Sequence, residues 1–401
     1  MSGRADVVVV GAGIVGLAAA WQLHRCRPSL RIRVLEREHR TAAHQSSHNS
    51  GVVHAGIYYA PGSRKATLCR RGNTLLEEFA VKHDIPLRRN GKLVIATCEA
   101  ELPALGRLAE RAHENGVPGL RLLEAGEVAG VEPAARGLRA LHSPVTGVID
   151  FAHVCRALVD DLEQKGVEVE LGTEVVGIDG QAGHARVETA DGRAIDARAV
   201  LVCAGLRSDD LVDLREARRR RTVPFRGAWY RMRGAVAAQV VGNVYPVPNP
   251  RLPFLGVHLT RRIDDEVWAG PNAFLSFSRE RYLRWAFDPR DAASTLGFPG
   301  FWRFASRHLS AAAVELRHEL STASYAREVA RYLPDVRPDD LERGPLGVRA
   351  QLLTREGEMV DDFAFHEQGP VLHVRSAPSP AATSALAIGE ELASRIEDRL
   401  T

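Results

Sequence analysis

Three glycines at the end of an apolar run are the residues whose types and spacing most clearly indicate chemistry. Four valines follow Asp6, and the motif Gly11-Ala12-Gly13-Ile14-Val15-Gly16 comes directly after them. The three glycines predict a tight turn, close approach of a pyrophosphate to the backbone, and close packing of the next helix, in that order. Because the N–H groups at a helix N-terminus favour negative charge, we expect the phosphates there.

An acidic residue closes the same unit. Glu36 ends a second apolar run, 20 positions after Gly16, where a carboxylate can bind a ribose hydroxyl and disfavour a 2′-phosphate. The order strand, glycine turn, helix and strand is the context that a dinucleotide-binding motif requires. An ordinary tight turn without a ligand is the alternative interpretation. The pattern favours a bound dinucleotide.

The composition excludes several other classes of function. The chain has 401 residues, 45% apolar and 26% charged, which is typical of a soluble globular protein with two domains. The net charge of +3 gives no argument for binding nucleic acid. The one dense basic run, Arg218 to Arg221, is interpreted as a solvated helix end or loop in preference to a membrane or partner patch.

The cysteines indicate a reducing compartment and no metal site. The five are Cys26, Cys69, Cys98, Cys155 and Cys203. They form no CxxC pair and no metal-ligand spacing, and most have apolar neighbours, so we expect most of them to be buried thiols. The first strand begins too early to leave room for a signal peptide. No apolar run approaches the ~20 residues that span a bilayer. These features favour a cytoplasmic protein, and peripheral contact with the inner face of a membrane stays open.

The remaining elements divide into two kinds of composition. Residues 44–51 are typical of a functional loop, residues 65–83 and 100–115 of helices, and residues 92–96 of a strand. A helix ending at Gly166 precedes strands and a hairpin turned at Asp191-Gly192, whose last strand stops at Ala204-Gly205. Residues 223–270 alternate short strand-like runs with Pro and Gly. Residues 278–333 are mostly helical, with a break near 298–302, and a last helix is predicted from 381 to 399.

These elements predict an α/β fold, α+β overall, in which one domain is assembled from separated segments. We assign residues 1–82, 145–212 and 340–401 to a cofactor domain. Residues 83–144 and 213–339 are assigned to an inserted substrate domain built on an antiparallel sheet.

Longer stretches support a resemblance to one family. They are HNSGVVHAGIYYAPGSRKATLCRRG (48–72), NGKLVIAT (90–97), VPFRG (223–227), VYPVPNPRLPFLGVHLTRRIDDEVWAGPNA (244–273), GFWR (300–303), GVRAQ (347–351) and APSPAATSALAIGE (377–390). Together they resemble the L-2-hydroxyglutarate oxidase/dehydrogenase family, flavoenzymes of the D-amino-acid-oxidase-like superfamily. The resemblance covers essentially the whole chain.

The resemblance implies FAD in a Rossmann-type domain, with the antiparallel domain covering the flavin. We therefore expect FAD to contact Gly11, Gly13, Ile14, Val15, Gly16, Glu36, Arg37, Ser46, Asn49, Ser50, Val175, Ala204, Gly205, Arg349, Pro380, Ala381, Ala382 and Thr383. The stretch 379–383 opens the last helix, and its amides could stabilise negative charge on reduced flavin.

Oxidation of a 2-hydroxy acid needs a base for the hydroxyl proton, and histidine has a suitable pKa. His54 is the leading candidate because the resemblance places the flavin ring beside its loop. A flavin-contacting or covalently linked histidine and plain packing are its alternative roles. His258 and His373 are the other candidates, although each lies in a strand-like run.

Cations must hold the substrate carboxylates, and the planar fork of arginine suits them. Arg349 is the first choice for this role, and Arg226, Arg303 and Lys92 are weaker choices. Tyr59, with Tyr58, is expected to close the pocket or to bind the substrate, or only to pack.

The predicted activity is FAD-dependent oxidation of a small 2-hydroxy acid, with L-2-hydroxyglutarate to 2-oxoglutarate as the leading reaction. Oxygen or a membrane quinone would accept the electrons. An FAD-dependent amine or amino-acid oxidase, a nicotinamide-dependent dehydrogenase, and a protein that carries FAD without redox activity are the alternatives.

Overall fold

The computed structural model describes residues 3–181, 183–248 and 256–400. Within these ranges the strands are β1 (Gly3–Val10), β2 (Ile32–Leu35), β3 (Val52–Val53), β4 (Leu87–Arg88), β5 (Lys92–Ala96), β6 (Arg121–Glu124), β7 (Arg139–Ser143), β8 (Gly147–Ile149), β9 (Glu168–Glu170), β10 (Val175–Gln181), β11 (His184–Thr189), β12 (Ala194–Val202), β13 (Arg220–Met232), β14 (Asn243–Pro246), β15 (Leu259–Arg261), β16 (Val267–Ala269), β17 (Phe274–Leu275), β18 (Leu341–Thr354), β19 (Ala364–Gln368) and β20 (Val371–Ser376).

The helices follow the same chain order. They are α1 (Ile14–Cys26), α2 (Arg64–Lys82), α3 (Leu102–Glu114), α4 (Ala125–Val131), α5 (Phe151–Glu163), α6 (Leu214–Arg219), α7 (Gly234–Gln239), α8 (Pro289–Leu296), α9 (Pro299–Arg307), α10 (Leu309–Leu320), α11 (Thr322–Val329) and α12 (Ala381–Leu400).

An eight-stranded sheet carries the glycine motif. Its strands run in the order β10-β11-β12-β1-β2-β9, and β20 joins it beside β12 with β19 on its outer side. The pairs of β1 with β2 and β12, and of β12 with β20, are parallel. The carboxyl ends of β1, β12 and β20 therefore meet at one edge of the sheet.

The run of valines in β1 is buried on both faces of this sheet. Val7 and Val9 belong to one apolar core, and Val8 and Val10 belong to another on the opposite face, because successive strand side chains point to opposite sides. Helices α1, α5 and α12 supply residues to the first of these cores. Helix α12 lies so close to α1 that a Cβ on Gly389 would be 2.7 Å from the Ala18 carbonyl oxygen.

The second large sheet has nine strands. Its order is β17-β13-β16-β15-β14-β5-β7-β6, with β18 paired to β13. All of its pairs are antiparallel except that of β5 with β14. A small sheet of β3, β8 and β4 completes the strand pairing. The predicted combination of a parallel cofactor-type sheet and an inserted, largely antiparallel domain is therefore present.

Some details differ from the sequence-based expectations. Residues 340–401 were assigned to the cofactor domain, but β18 pairs along its length with β13 of the nine-stranded sheet. Residues 278–288 form no helix, although 278–333 was expected to be mostly helical. Residues 249–255, within the predicted strand-rich stretch, lie outside the described residues. Of the five cysteines, only Cys69 and Cys155 are buried, Cys203 is half-buried, and Cys26 and Cys98 are exposed, so the expectation that most of them are buried was wrong.

Candidate active site

The glycine loop has the geometry that its sequence predicted. Gly11 has φ +104°, and a Cβ there would lie 2.6 Å from the Cys203 carbonyl oxygen. A Cβ on Gly16 would overlap the carbonyl oxygen of Gly11. Gly16 therefore acts by letting α1 pack against the turn, and it does not line the cavity described below, in contrast to the expected contact with the cofactor.

Helix α1 begins at Ile14 without a capping side chain of its own. Ser46 caps it from a distance, since its Oγ accepts a hydrogen bond of 2.9 Å from the Ile14 backbone N–H. The hydroxyl hydrogen of Ser46 remains able to donate toward an anion at the helix N-terminus. The loop 44–51 is thus fixed to the glycine motif.

Glu36 is held by two backbone amides. Its Oε2 accepts from Ala12 N–H at 2.8 Å, and its Oε1 accepts from Glu38 N–H at 3.0 Å. Each oxygen has further lone pairs, so the carboxylate can also accept hydrogen bonds from ribose hydroxyls. Its side chain lines the cavity, as a ribose-binding residue would.

One cavity of about 950 Å³ runs along the carboxyl edge of the eight-stranded sheet. Its volume lies at the upper end of the range for ligand pockets, which suits a ligand as large as a dinucleotide. The expected cofactor residues that line it are Gly11, Gly13, Ile14, Val15, Glu36, Arg37, Ser46, Asn49, Ser50, Val175, Ala204, Gly205, Arg349, Pro380, Ala381, Ala382 and Thr383. The glycine cradle, the capped helix and Glu36 fit FAD.

His54 lines the same cavity, and its backbone is fixed on both sides. Its N–H donates to Thr383 Oγ1 at 3.1 Å, and its carbonyl oxygen accepts from Asn73 Nδ2 at 2.8 Å. Its Nε2 lies 3.5 Å from Ser379 Oγ. Burial lowers the pKa of the imidazole well below 6.5, and the charge of Lys92 lowers it further. The ring is therefore neutral near pH 7 and able to accept a proton.

His258 is a second imidazole in the cavity lining. Its Nδ1 lies 3.0 Å from the Gly256 carbonyl oxygen, and because a carbonyl only accepts, Nδ1 carries the hydrogen and Nε2 carries the lone pair. Burial lowers the pKa of His258 to about 3. His373, the third candidate base, is buried in β20 and does not line the cavity.

Lys92 lies behind the cavity wall and does not line it. Its Nζ is 3.8 Å from the centre of the Tyr245 ring, and that ring stacks on His258 with centroids 3.9 Å apart. Burial lowers the pKa of Lys92 to about 7. When it is protonated, Lys92 lowers the pKa of both His54 and His258 through its charge.

Arg349, at the junction of the two sheets, lines the cavity from β18. Burial lowers the pKa of its guanidinium, and Glu315 opposes that shift. Arg226 lies elsewhere: its guanidinium is buried and pairs with Glu319 at 3.0 Å, and it does not line the cavity. The structure thus brings His54, Tyr59 and Arg349 together, and it leaves Arg226 and Lys92 outside.

A loop that carried no recognisable signal covers the Glu36 end of the cavity. Tyr282 stacks on His48 with ring centroids 3.7 Å apart, and its hydroxyl lies 3.1 Å from His44 Nδ1. Glu280 binds Arg207 at 2.6 Å and also pairs with Arg37. Burial alone would raise the pKa of Glu280, but the two arginines outweigh it and lower the pKa to about 2.

Comparison with known proteins identifies the family. The profile described as "FAD dependent oxidoreductase" matches residues 6–395. The chain belongs to the FAD-dependent oxidoreductase family. It is therefore a flavoprotein with FAD as its cofactor, and the nicotinamide-dependent alternative is wrong.

Individual relatives within this family cover the whole chain. The mitochondrial L-2-hydroxyglutarate dehydrogenase of Nematostella vectensis is 41% identical over 99% of this chain and 91% of its own. The human enzyme of the same name is 40% identical over 98% and 89%. The L-2-hydroxyglutarate dehydrogenase of Indibacter alkaliphilus is 37% identical over 96% of both chains.

Solved structures share the fold at low sequence identity. The L-alpha-glycerophosphate oxidase of Mycoplasma pneumoniae superposes with a TM-score of 0.77 at 20% identity, over 98% of this chain and 95% of its own. The glycine oxidase of Geobacillus kaustophilus gives a TM-score of 0.71 at 18% identity, over 98% and 95%. These likenesses confirm the predicted fold class.

Proposed function

We propose that this flavoprotein oxidises L-2-hydroxyglutarate to 2-oxoglutarate. The observation that carries the proposal is the similarity, along nearly the full length of both chains, to relatives named for that reaction. The cavity supports it, because an imidazole and a guanidinium line the same space as the glycine loop. A proton acceptor and a carboxylate ligand are the groups that a 2-hydroxy acid requires.

His54 is the proposed base. Oxidation of the alcohol removes a hydride from Cα and a proton from the hydroxyl oxygen, and bound FAD supplies the two-electron acceptor. Nε2 of neutral His54 receives the hydroxyl proton as the carbonyl forms. The depressed pKa keeps that nitrogen unprotonated near pH 7. The His54 backbone donates a hydrogen bond to Thr383 and accepts one from Asn73, and these two bonds hold the residue in place during the transfer.

Arg349 is the proposed carboxylate ligand. Its planar fork can donate to both oxygens of a carboxylate, and the surrounding burial strengthens the interaction. Tyr59 lines the same cavity as Arg349, and we propose that it closes the space around the substrate. The N-terminus of α12, beside these residues, favours negative charge.

An amine or amino-acid oxidase is the second candidate, since a glycine oxidase has the same fold. Initial rates with L-2-hydroxyglutarate, D-2-hydroxyglutarate, glycine, sarcosine and D-amino acids separate the two. We expect turnover with L-2-hydroxyglutarate alone, and turnover confined to the amines would contradict the proposal. Anaerobic mixing tests redox activity itself, because a protein that only carries FAD would leave its flavin oxidised in the presence of every substrate.

The electron acceptor and the location complete the proposal. We infer a reducing compartment such as the cytoplasm from the five free cysteines, and either oxygen or a membrane quinone as acceptor. No helix in the described ranges is both long enough and apolar enough to cross a membrane. Reoxidation of the reduced enzyme by oxygen and by a soluble quinone analogue, followed by stopped-flow absorbance, distinguishes the acceptors.

A further inference from the structure

Lys65, in the first turn of α2, places an ammonium group on the wall of the cavity. The residue is 7% exposed, and its Nζ donates a hydrogen bond of 2.6 Å to Asp361 Oδ1. Lys65 and Asp361 both line the cavity that His54 and Arg349 also line. A buried cation therefore shares one space with the candidate base and the candidate carboxylate ligand.

One face of α2 links Lys65 to the candidate base. Lys65, Cys69 and Asn73 follow one another at intervals of four residues in the helix, so they lie on the same face. Cys69 Sγ and Asn73 Nδ2 both donate to the His54 carbonyl oxygen, at 3.5 and 2.8 Å. The centre of the Tyr59 ring lies 5.9 Å from Lys65 Nζ. Lys65 is therefore one helical turn away from a residue that contacts His54.

The strand that carries Arg349 is tied to the partner of Lys65. Gln351 follows Arg349 by two positions in β18, where alternate residues share a face, and it also lines the cavity. Its Nε2 donates to the Val360 carbonyl oxygen at 3.4 Å, and Asp361 is the next residue in the chain. The loop that carries Asp361 is therefore held against the part of β18 that presents Arg349 to the cavity.

The ion pair of Lys65 is suited to exchange its carboxylate. A buried ammonium needs a negative partner, because an unpaired buried charge is costly. The partner lies at the mouth of the cavity, since the Asp361 side chain is 75% exposed. An ion pair with a carboxylate that is largely in water contributes little net stability, and an ammonium has three N–H donors. A carboxylate that a ligand brings can therefore bind Lys65 and release Asp361 to solvent.

We propose that Lys65 binds the distal carboxylate of a dicarboxylic 2-hydroxy acid, and that Asp361 takes the place of this carboxylate between turnovers. The inference rests on the proposed function and adds to it a residue that selects the substrate. Arg349 then holds the carboxylate next to the reacting carbon, near His54, and the distal carboxylate extends toward the mouth of the cavity. A substrate with a single carboxylate leaves the pair of Lys65 and Asp361 intact and gains nothing from it.

Two substrates of equal chain length separate this role from a structural one. L-2-Hydroxyglutarate has the distal carboxylate, and L-2-hydroxyvalerate has a methyl group in its place. KM and kcat for both are measured on the FAD-loaded full chain for the wild type, Lys65→Met, Lys65→Arg and Asp361→Asn. If L-2-hydroxyvalerate turns over too slowly, its competitive inhibition constant replaces KM.

A matched control comes from the same helix. Arg71 in α2 pairs with Glu390 at 2.9 Å and does not line the cavity, so Arg71→Met removes an ion pair of α2 without touching the site. Flavin content and melting temperature show whether each variant is folded.

We expect Lys65→Met to raise KM for L-2-hydroxyglutarate roughly 10–150-fold, the usual contribution of a charged hydrogen bond. The value of kcat should hold, because the distal carboxylate is bound alike in the ground and transition states. KM for L-2-hydroxyvalerate should not change. Lys65→Arg keeps the positive charge and should retain most of the affinity. Asp361→Asn should lower KM for L-2-hydroxyglutarate roughly two- to fivefold, because it removes the competing carboxylate. Arg71→Met should leave both KM values unchanged.

Other results would overturn the inference. An equal rise of KM for both substrates in Lys65→Met would show that Lys65 binds the shared carboxylate or acts only on the fold. A KM for L-2-hydroxyglutarate that is unchanged in Lys65→Met, or that does not fall in Asp361→Asn, would reduce the pair to an ordinary ion pair. Should Lys65→Met fail to fold, Asp361→Asn and Lys65→Arg decide the question. Failure of the proposed function itself looks different, because neither hydroxy acid would then reduce the wild-type flavin.

Discussion

Thr383, in the first turn of α12, and His54, in the loop after β3, are joined by a hydrogen bond across 329 residues of chain. The same hydroxyl donates to the Val52 carbonyl oxygen at 3.3 Å. One buried threonine therefore fixes the segment that carries the candidate base against the helix whose N-terminus opens on the cavity.

Replacing Thr383 should displace His54 without removing it. Thr383→Val keeps the shape but leaves a buried N–H and a buried carbonyl without this partner, so the free energy of unfolding should fall by about 1–3 kcal/mol. Flavin reduction should slow while the FAD content remains. Thr383→Ser, which keeps the hydroxyl, is the control and should retain most of the rate. Stopped-flow reduction and thermal melting measure both effects.

Removing the imidazole should affect the chemical step itself. His54→Ala should lower the rate of flavin reduction by roughly 10²–10⁴-fold, the usual contribution of general acid–base catalysis. The pKa of His54 lies well below 6.5, so the imidazole stays neutral at neutral pH. The wild-type rate of flavin reduction should therefore fall only when the pH drops below 6.5 and the imidazole becomes protonated. An unchanged rate in His54→Ala would transfer the role to His258, which also has a free lone pair at Nε2 and whose Ala variant should then be slow.

Arg349 should affect binding more than chemistry. If it holds a carboxylate equally in the ground and transition states, Arg349→Ala raises KM while kcat holds. Loss of a charged hydrogen bond of about 1.5–3 kcal/mol corresponds to roughly 10–150-fold in KM. Arg349→Lys keeps the positive charge but lacks the planar fork, so its KM should lie between those of the wild type and Arg349→Ala. A fall in kcat at unchanged KM would contradict the assignment.

The glycine turn should tolerate no side chain. In Gly16→Ala the new methyl group would overlap the Gly11 carbonyl oxygen, so α1 must move away from the turn and FAD should be lost on purification. Gly106→Ala is the matched control, because a Cβ there meets nothing within 4 Å. Alanine at this half-buried position of α3 should stabilise the protein by about 0.5–1 kcal/mol. Absorption spectra of the two purified variants give the flavin content directly.

The Glu280 ion pairs should make stability depend on pH in the acid range. The pKa of Glu280 is lowered to about 2 in the folded protein, against about 4.3 in an unfolded chain. The ion pairs therefore contribute their full stabilisation above about pH 4.3, and this stabilisation is lost as the pH falls toward 2. The difference in unfolding free energy between wild type and Glu280→Gln should be constant near neutral pH and shrink in acid. A difference that does not change with pH would show that charge is not responsible.

The parts of the site that were predictable have local signals. The glycine motif and the turn before α12 each consist of residues within a few positions of one another, and Glu36 belongs to the same short strand–helix–strand unit as the glycines, where it binds the Ala12 N–H. Lys92 and Arg226 could not be placed in this way. Both lie in strands, and only the neighbouring elements decide what each side chain meets: the Tyr245 ring for Lys92, and Glu319 of α10 for Arg226.

The cover at the Glu36 end of the cavity was missed for a related reason. Glu280 and Tyr282 lie in a stretch of ordinary polar and aromatic residues, and their partners Arg37 and His44 are more than 200 positions away. No periodicity or motif encodes such a pairing. The proton position on His258 likewise depends on a carbonyl group that only the folded backbone brings to Nδ1.

The interleaved order of strands in the eight-stranded sheet has a consequence for biosynthesis. β1 pairs with β12, and β12 pairs with β20, while Thr383 in α12 completes the pocket. A ribosome releases β1 long before any of these partners, so the nascent Gly11 loop has no finished wall to bind a nucleotide. We therefore expect FAD capture to follow translation of the last helix, and until then the apolar faces of β1 depend on protection by the emerging chain or by chaperones.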